Sequence, residues 1–199
     1  MGKIVYLMGK SASGKDSMYA RLLSEKSLGL KPLVTYTTRP MRDHEEEGVQ
    51  YHFISEEQMR TFEKEGRIIE ERMYPSVIGP WYYATVDDGK TDFEGTDFLV
   101  IGTLESYLKV RDYFKERPAI HVIPVYMEVE DLTRLKRALA REEAQDSRNL
   151  EEMCRRFLAD QKDFSEENLQ AAGIGRRFAN NENMESCFGE ILGYLQGIE

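Results

Sequence analysis

The sequence predicts an α/β protein in which a mainly parallel sheet is flanked by helices. Short apolar runs alternate with segments of helical spacing along most of the chain, the pattern of strands joined by helical crossovers. A glycine-rich loop, Gly9 to Ser17, stands directly behind the apolar run Ile4 to Leu7, where a first strand would hand over to a first helix. Residues 37–95 break the alternation and predict a β-rich insertion. A chain of 199 residues, 41% of them hydrophobic, can bury one good core and a small appended subdomain.

Lys3 to Met8 reads as the first strand, and Met18 with Leu22 marks the inward stripe of the helix after the loop. Leu33 to Tyr36 reads as a second strand. The insertion is charged and aromatic, with turn signals at Glu47-Gly48, Pro75, Gly79-Pro80 and Asp88-Gly89 and one helical stripe, Met59 with Phe62. Phe98 to Ile101 and Ile120 to Met127 return to the parallel sheet. Leu132, Leu135 and Leu139 then form an apolar stripe expected to pack, while Arg134, Arg137 and Arg141 repeat the same spacing on another face, free to meet anions. Met153, Phe157 and Phe164 mark a further helix, Ile174 to Ala179 a last strand, and Cys187, Ile191, Tyr194, Leu195 and Ile198 the buried stripe of a final helix. The expected organisation is a core of residues 1–36 and 96–199 with an inserted subdomain of 37–95.

A net charge of −9 excludes a general nucleic-acid binder, which needs a basic face, so phosphate recognition must be local. Cys154 and Cys187 lack metal-ligand spacing, and no signal-peptide pattern is present, which points to a reducing cytoplasm. No apolar stretch approaches the roughly 20 residues of a membrane span, so no membrane partner is expected. His44, His52 and His121 form no metal set.

The loop keeps the spacing Gly9, four residues, Gly14, Lys15 of a phosphate-binding loop. Backbone N–H groups along Gly9, Ser11, Ala12, Ser13 and Gly14 can point at phosphate oxygens, the helix N-terminus adds its positive end, and Lys15 reaches the β- and γ-phosphates. The next position, normally Ser or Thr, holds Asp16. A bare carboxylate would repel a triphosphate, so Asp16 makes sense as a hard ligand working through Mg²⁺, with Ser17 as the alternative hydroxyl. It also suits the first turn of a helix as a favourable acid.

A second phosphate site is suggested by Arg39, Arg42 and Tyr51. Two guanidinium forks and a phenol suit a phosphate monoester, although such a pair in a loop also reads as a surface ion-pair network. The order Thr37-Thr38-Arg39, Arg42, Glu45, Gly48, Tyr51-His52-Phe53 resembles the guanylate kinase family. The resemblance continues through "GRIIEE", "YYAT", the spacing of Arg137 and Arg141, "RRF" at Arg155 to Phe157, and "FANN".

The resemblance implies a P-loop kinase fold: a central parallel five-stranded sheet flanked by helices, a β-rich GMP-binding insertion and a helical lid of about 137–156. It implies transfer of the ATP γ-phosphoryl group to GMP with Mg²⁺, and monomers or homodimers. Arg39, Arg42 and Tyr51 would hold the GMP phosphate; Glu70, Tyr83 and Thr85, with Thr35, would hold the rest of the nucleotide. Lys15, Arg39, Arg137, Arg141 and Arg156 would stabilise the transferring group, and Asn180 would lie near the adenine. Guanine offers donors at N1–H and its 2-amino group to a carboxylate at Glu70, whereas adenine offers an acceptor at N1.

The sequence departs from the family in three places. Ile101 and Thr103 stand where strand aspartates are expected, Tyr74 to Trp81 is longer than the family's loop, and about four extra residues separate Arg141 from Arg156. The "GKDS" ending also resembles ribose 1,5-bisphosphate phosphokinase, which makes a sugar-phosphate kinase the first alternative. The second is a non-catalytic interaction domain, against which the intact loop argues. A GTPase switch is set aside for want of an Asn-Lys pair.

Overall fold

The computed structural model describes residues 1–76, 79–144 and 148–198. Strand β1 (Gly2–Gly9) lies at the middle of a five-stranded sheet, flanked by β7 (Phe98–Gly102) and β8 (Ile120–Glu128), with β2 (Lys31–Pro32) and β9 (Arg177–Ala179) at the edges. Every pairing in this sheet is parallel. Parallel strands need crossovers that cover both faces, and β1 is accordingly apolar on both sides. Ile4, Tyr6 and Met8 pack with α3 (Leu104–Phe114) and α6 (Glu166–Ala171); Val5 and Leu7 pack with α1 (Lys15–Ser24) and α7 (Met184–Gln196). Cys187 is fully buried in the second of these cores, as its place in the last stripe predicts.

A second sheet of four strands runs in the order β4 (Tyr51–Phe53), β3 (Thr35–Thr37), β6 (Gly79–Val86), β5 (Ile68–Ser76). Helix α2 (Glu56–Lys64) closes it, starting at a reciprocal cap between Ser55 and Gln58 and burying Met59 beside Tyr36, Ala84 and Val86.

The single second strand expected over Leu33 to Tyr36 does not form. Lys31 and Pro32 pair with β7 at the sheet edge, where a proline's missing N–H costs nothing, and the chain then crosses to the other sheet, where Thr35 to Thr37 pairs with β4 and β6. Helix α4 (Asp131–Glu143) is turned against expectation. Arg134 is its fully buried residue, with Ala138 and Glu142, while Leu132 and Leu139 are 63% and 38% exposed. Periodicity marks two possible faces, and the buried one is chosen by ion pairs and ring contacts from α5 (Leu150–Asp163) that periodicity does not register. On α5 itself, Met153 is buried and the cap residue Phe164 joins the core, whereas Phe157 is half-buried beneath the Arg134 guanidinium, 4.4 Å from its ring centre.

Candidate active site

The loop between β1 and α1 is shaped by backbone positions that exclude larger residues. Gly14 sits at φ +86° as the N-cap of α1, and a Cβ there would stand 2.7 Å from Asn180 Nδ2, which donates to the Ser13 carbonyl at 2.9 Å. A Cβ on Gly9 would meet the Met127 carbonyl at 2.7 Å. Ala12 adopts φ +60°, a strained value for a residue with a side chain. The Ser13 hydroxyl is buried with no hydrogen-bond partner among the described residues.

A polar strut missed in the sequence supports the loop. The Ser11 N–H donates to Asp160 Oδ2 at 2.7 Å, and buried Arg134 donates to both the Ser11 carbonyl (3.1 Å) and Asp160 (3.4 Å). Arg134 also pairs with Asp131 at 2.8 Å, and Lys10 and Asp131 both meet Gln161. Asp160 follows Ser11 by 149 positions, so no local pattern could pair them.

Burial pulls the Lys15 ammonium below its usual pKa, partly opposed by Asp16 and Asp160 and assisted by the charges of Arg141 and Arg134. Lys15, Asp16 and Arg141 therefore share one local field. Arg141 and Arg156 line one hollow of about 360 Å³ between α4 and α5, with Arg156 held to Glu152 at 2.7 Å. Arg137 instead donates to the Asn181 carbonyl at 2.8 Å. Asp16 and Ser17 are both exposed at the start of α1.

The other candidate residues gather beside the second sheet. A cavity of about 480 Å³ is lined by Thr35, Tyr51 and Tyr83, by Tyr19 of α1, by Ile101 of β7 and by Arg72. Tyr83 meets Tyr51 and Tyr74 edge-on at 5.5 and 5.4 Å. Arg39 is 4% exposed and both its terminal nitrogens bind Glu45, at 2.7 and 2.9 Å; the Tyr51 and Phe53 ring centres lie 5.6 Å from its guanidinium. That fork, with help from the Arg42 backbone N–H, holds the Glu45 carboxyl down to about 2. Arg42 itself is exposed. Glu70 is 3% exposed, accepts from Arg72 at 3.2 Å and Thr85 at 3.4 Å through one oxygen, and has no partner on the other among the described residues. A larger cleft of about 760 Å³ lies toward α3 and α6 and touches Arg72 but no loop residue, so the smaller cavity is the one adjoining the phosphate loop's helix.

A family model described as guanylate kinase matches residues 1–168. The guanylate kinase of Neisseria meningitidis serogroup A is 32% identical over 130 residues, covering 64% of this chain and 61% of the relative. That of Mycoplasma mobile is 32% identical over 129 residues, with 63% and 62% covered. The matched stretch thus spans about three fifths of these curated relatives. The crystal structure of guanylate kinase from Anaplasma phagocytophilum superposes with a TM-score of 0.59 at 20% identity, over 98% of this chain and 85% of that one, and shares the fold. The chain belongs to the guanylate kinase family.

Proposed function

We propose that this member of the guanylate kinase family transfers the γ-phosphoryl group of ATP to GMP, giving ADP and GDP. One observation carries the reading: α1 begins at Lys15 in the phosphate loop and one turn later places Tyr19 in the wall of the cavity that holds Thr35, Tyr51 and Tyr83. A donor phosphate and an acceptor are thereby served by adjoining surfaces of one helix, the arrangement that in-line transfer needs.

The division of labour follows from the chemistry of each group. Loop amides, the orphaned Ser13 hydroxyl and Lys15 bind the ATP phosphates, with Asn180 buttressing the loop. Tyr51, Arg39 and Arg42 hold the acceptor phosphate, with Arg39 kept in place by Glu45. Thr35, Glu70, Tyr83 and Thr85 hold the nucleoside. The acceptor's phosphate oxygen is already ionised near neutral pH, so it attacks without a strong general base. Lys15, Arg141 and Arg156, joined by Arg137 as the lid of about 137–156 closes on the insertion of 37–95, neutralise the charge that spreads over the transferring group.

Among the described residues no group of three or more His, Cys, Asp or Glu could hold a metal by itself. Mg²⁺ fits here as an ion carried in with nucleotide oxygens and water and met by Asp16 or the Ser17 hydroxyl, and when bound it neutralises and orients the phosphates. No helix among the described residues is long and apolar enough to cross a membrane, and the two free cysteines of this acidic chain suit a reducing cytoplasm.

The test is ADP formation from ATP and Mg²⁺ with GMP, dGMP, AMP, UMP and ribose 1,5-bisphosphate side by side. Turnover led by GMP is expected. Turnover only on the sugar bisphosphate, or ATP binding without any turnover, would replace this reading with one of its two alternatives.

A further inference from the structure

Glu70 and Arg72 lie two apart on β5, on the same face, opposite Thr85 and Tyr83 of β6. They form one ion pair, Arg72 Nη2 to Glu70 Oε1 at 3.2 Å, yet each keeps a buried group without a hydrogen-bond partner among the described residues: Oε2 of Glu70 and Nε of Arg72. The Glu70 side chain is 2% exposed, and Arg72 lines the cavity beside Tyr51, Tyr83 and Ile101. Ile101 supplies no polar atom from the sheet side. Arg72, which carries the unpaired donor, thus lines an aromatic cavity and is ion-paired to the residue that carries the unpaired acceptor, and unpaired buried groups favour whichever ligand completes them.

We infer that Arg72 is a specificity-determining residue that donates to the base's O6 while Glu70 Oε2 accepts from its N1–H. The pair matches a purine whose edge offers an acceptor beside a donor, as guanine and hypoxanthine do. Adenine offers the reverse order, an amino donor facing Arg72 and a ring acceptor facing Glu70, and is rejected at both contacts. The Glu70 carboxylate also reaches the 2-amino group, which separates guanine from hypoxanthine, whereas Arg72 does not distinguish those two. The inference rests on the nucleotide-kinase reading above and assigns a role to a residue that reading leaves unused.

The experiment compares kcat/KM for GMP, IMP and 6-thio-GMP, whose sulfur is a poor acceptor in place of O6, in the unaltered protein, Arg72→Met and Arg72→Lys. The unaltered protein should prefer GMP over 6-thio-GMP by about tenfold. Arg72→Met should raise KM for GMP at least about tenfold with kcat nearly unchanged, and bring the GMP to 6-thio-GMP ratio close to one while leaving the GMP to IMP ratio where it was. Arg72→Lys should restore part of the lost ratio. A purely structural Arg72 would change all three acceptors by one common factor and leave the ratios alone, which overturns the inference. Absence of turnover on every purine monophosphate in the unaltered protein would overturn the functional reading itself, and the inference with it.

Discussion

The two ends of the proposed site are built from different materials. At the phosphate loop the work falls to backbone: Gly14 in a left-handed conformation, amides at the start of α1, and a strut of Arg134, Asp131 and Asp160 that leaves the loop braced before any ligand arrives. At the proposed acceptor end the work falls to side chains from the four strands of the second sheet, and two of its polar atoms, Glu70 Oε2 and Arg72 Nε, have no partner among the described residues. The braced end can accept any nucleoside triphosphate's phosphates, since every one presents the same oxygens. On the proposed reading the incomplete end chooses among bases, and a choice is expressed by groups that only the right ligand satisfies.

Perturbing each end in turn shows how far the contrast holds. Lys15→Met should lower kcat by roughly 10³-fold while leaving the urea unfolding midpoint in place, since it removes charge stabilisation from the transferring group and no structural contact. A loss of under tenfold would move the chemistry away from this loop. Asp160→Ala should behave in the opposite sense, destabilising the fold by about 3 kcal/mol by leaving buried Arg134 with Asp131 as its remaining carboxylate. Equilibrium denaturation measures it, and an unchanged midpoint would show that the strut is not structural. Glu70→Gln should cost about 10²-fold in kcat/KM for GMP, with a smaller loss for IMP, which lacks the 2-amino donor. Equal losses would remove Glu70 from reading the 2-amino group, and no loss on either acceptor would remove it from base reading altogether.

The smallest effect expected is acid lability of the second sheet, where two depressed carboxylates lie beside clustered tyrosines. The Arg39 fork holds Glu45 at about 2, and Asp88, whose burial alone would raise it, is held at about 2 by bonds from the Thr91 and Lys90 amides and the Tyr36 hydroxyl. Both folded values lie below the ordinary carboxylate range, so their contribution is fully present above about 4.5 and is lost as pH falls toward about 2. Near-ultraviolet circular dichroism of the tyrosines clustered there should change across that window before the far-ultraviolet signal does. Glu45→Gln should remove its part of the transition, and a coincident loss of both signals would mean that the two sheets melt as one.

Legibility divides along the same line. Strand and glycine turn were readable because each is a consequence of neighbouring residues: φ above zero favours glycine, as at Gly14, and an apolar run with no polar face demands burial from both sides. The last helix was readable because Cys187, Ile191 and Leu195 bury along one stripe that has no competing face. On α4 the same kind of reading failed. Leu132 and Leu139 formed an acceptable stripe, but a guanidinium with two carboxylates, a carbonyl and a ring waiting for it outweighed them, and those partners come from the loop and from α5 as well as from α4 itself. Leu33 to Tyr36 failed for a related reason, since which sheet receives a strand depends on the edges available in space.

What the sequence determined by itself is thus the layered α/β plan and the turn of the glycine-rich loop, because local conformational preference and hydrophobic spacing act between near neighbours. Tertiary structure alone decided which face of α4 is buried, that Asp160 braces Ser11, and that Glu70 and Arg72 each retain an unpaired atom. Hydrogen bonds and ion pairs reward proximity in space, and whether a buried polar atom finds its partner is settled only when all the elements have packed around it.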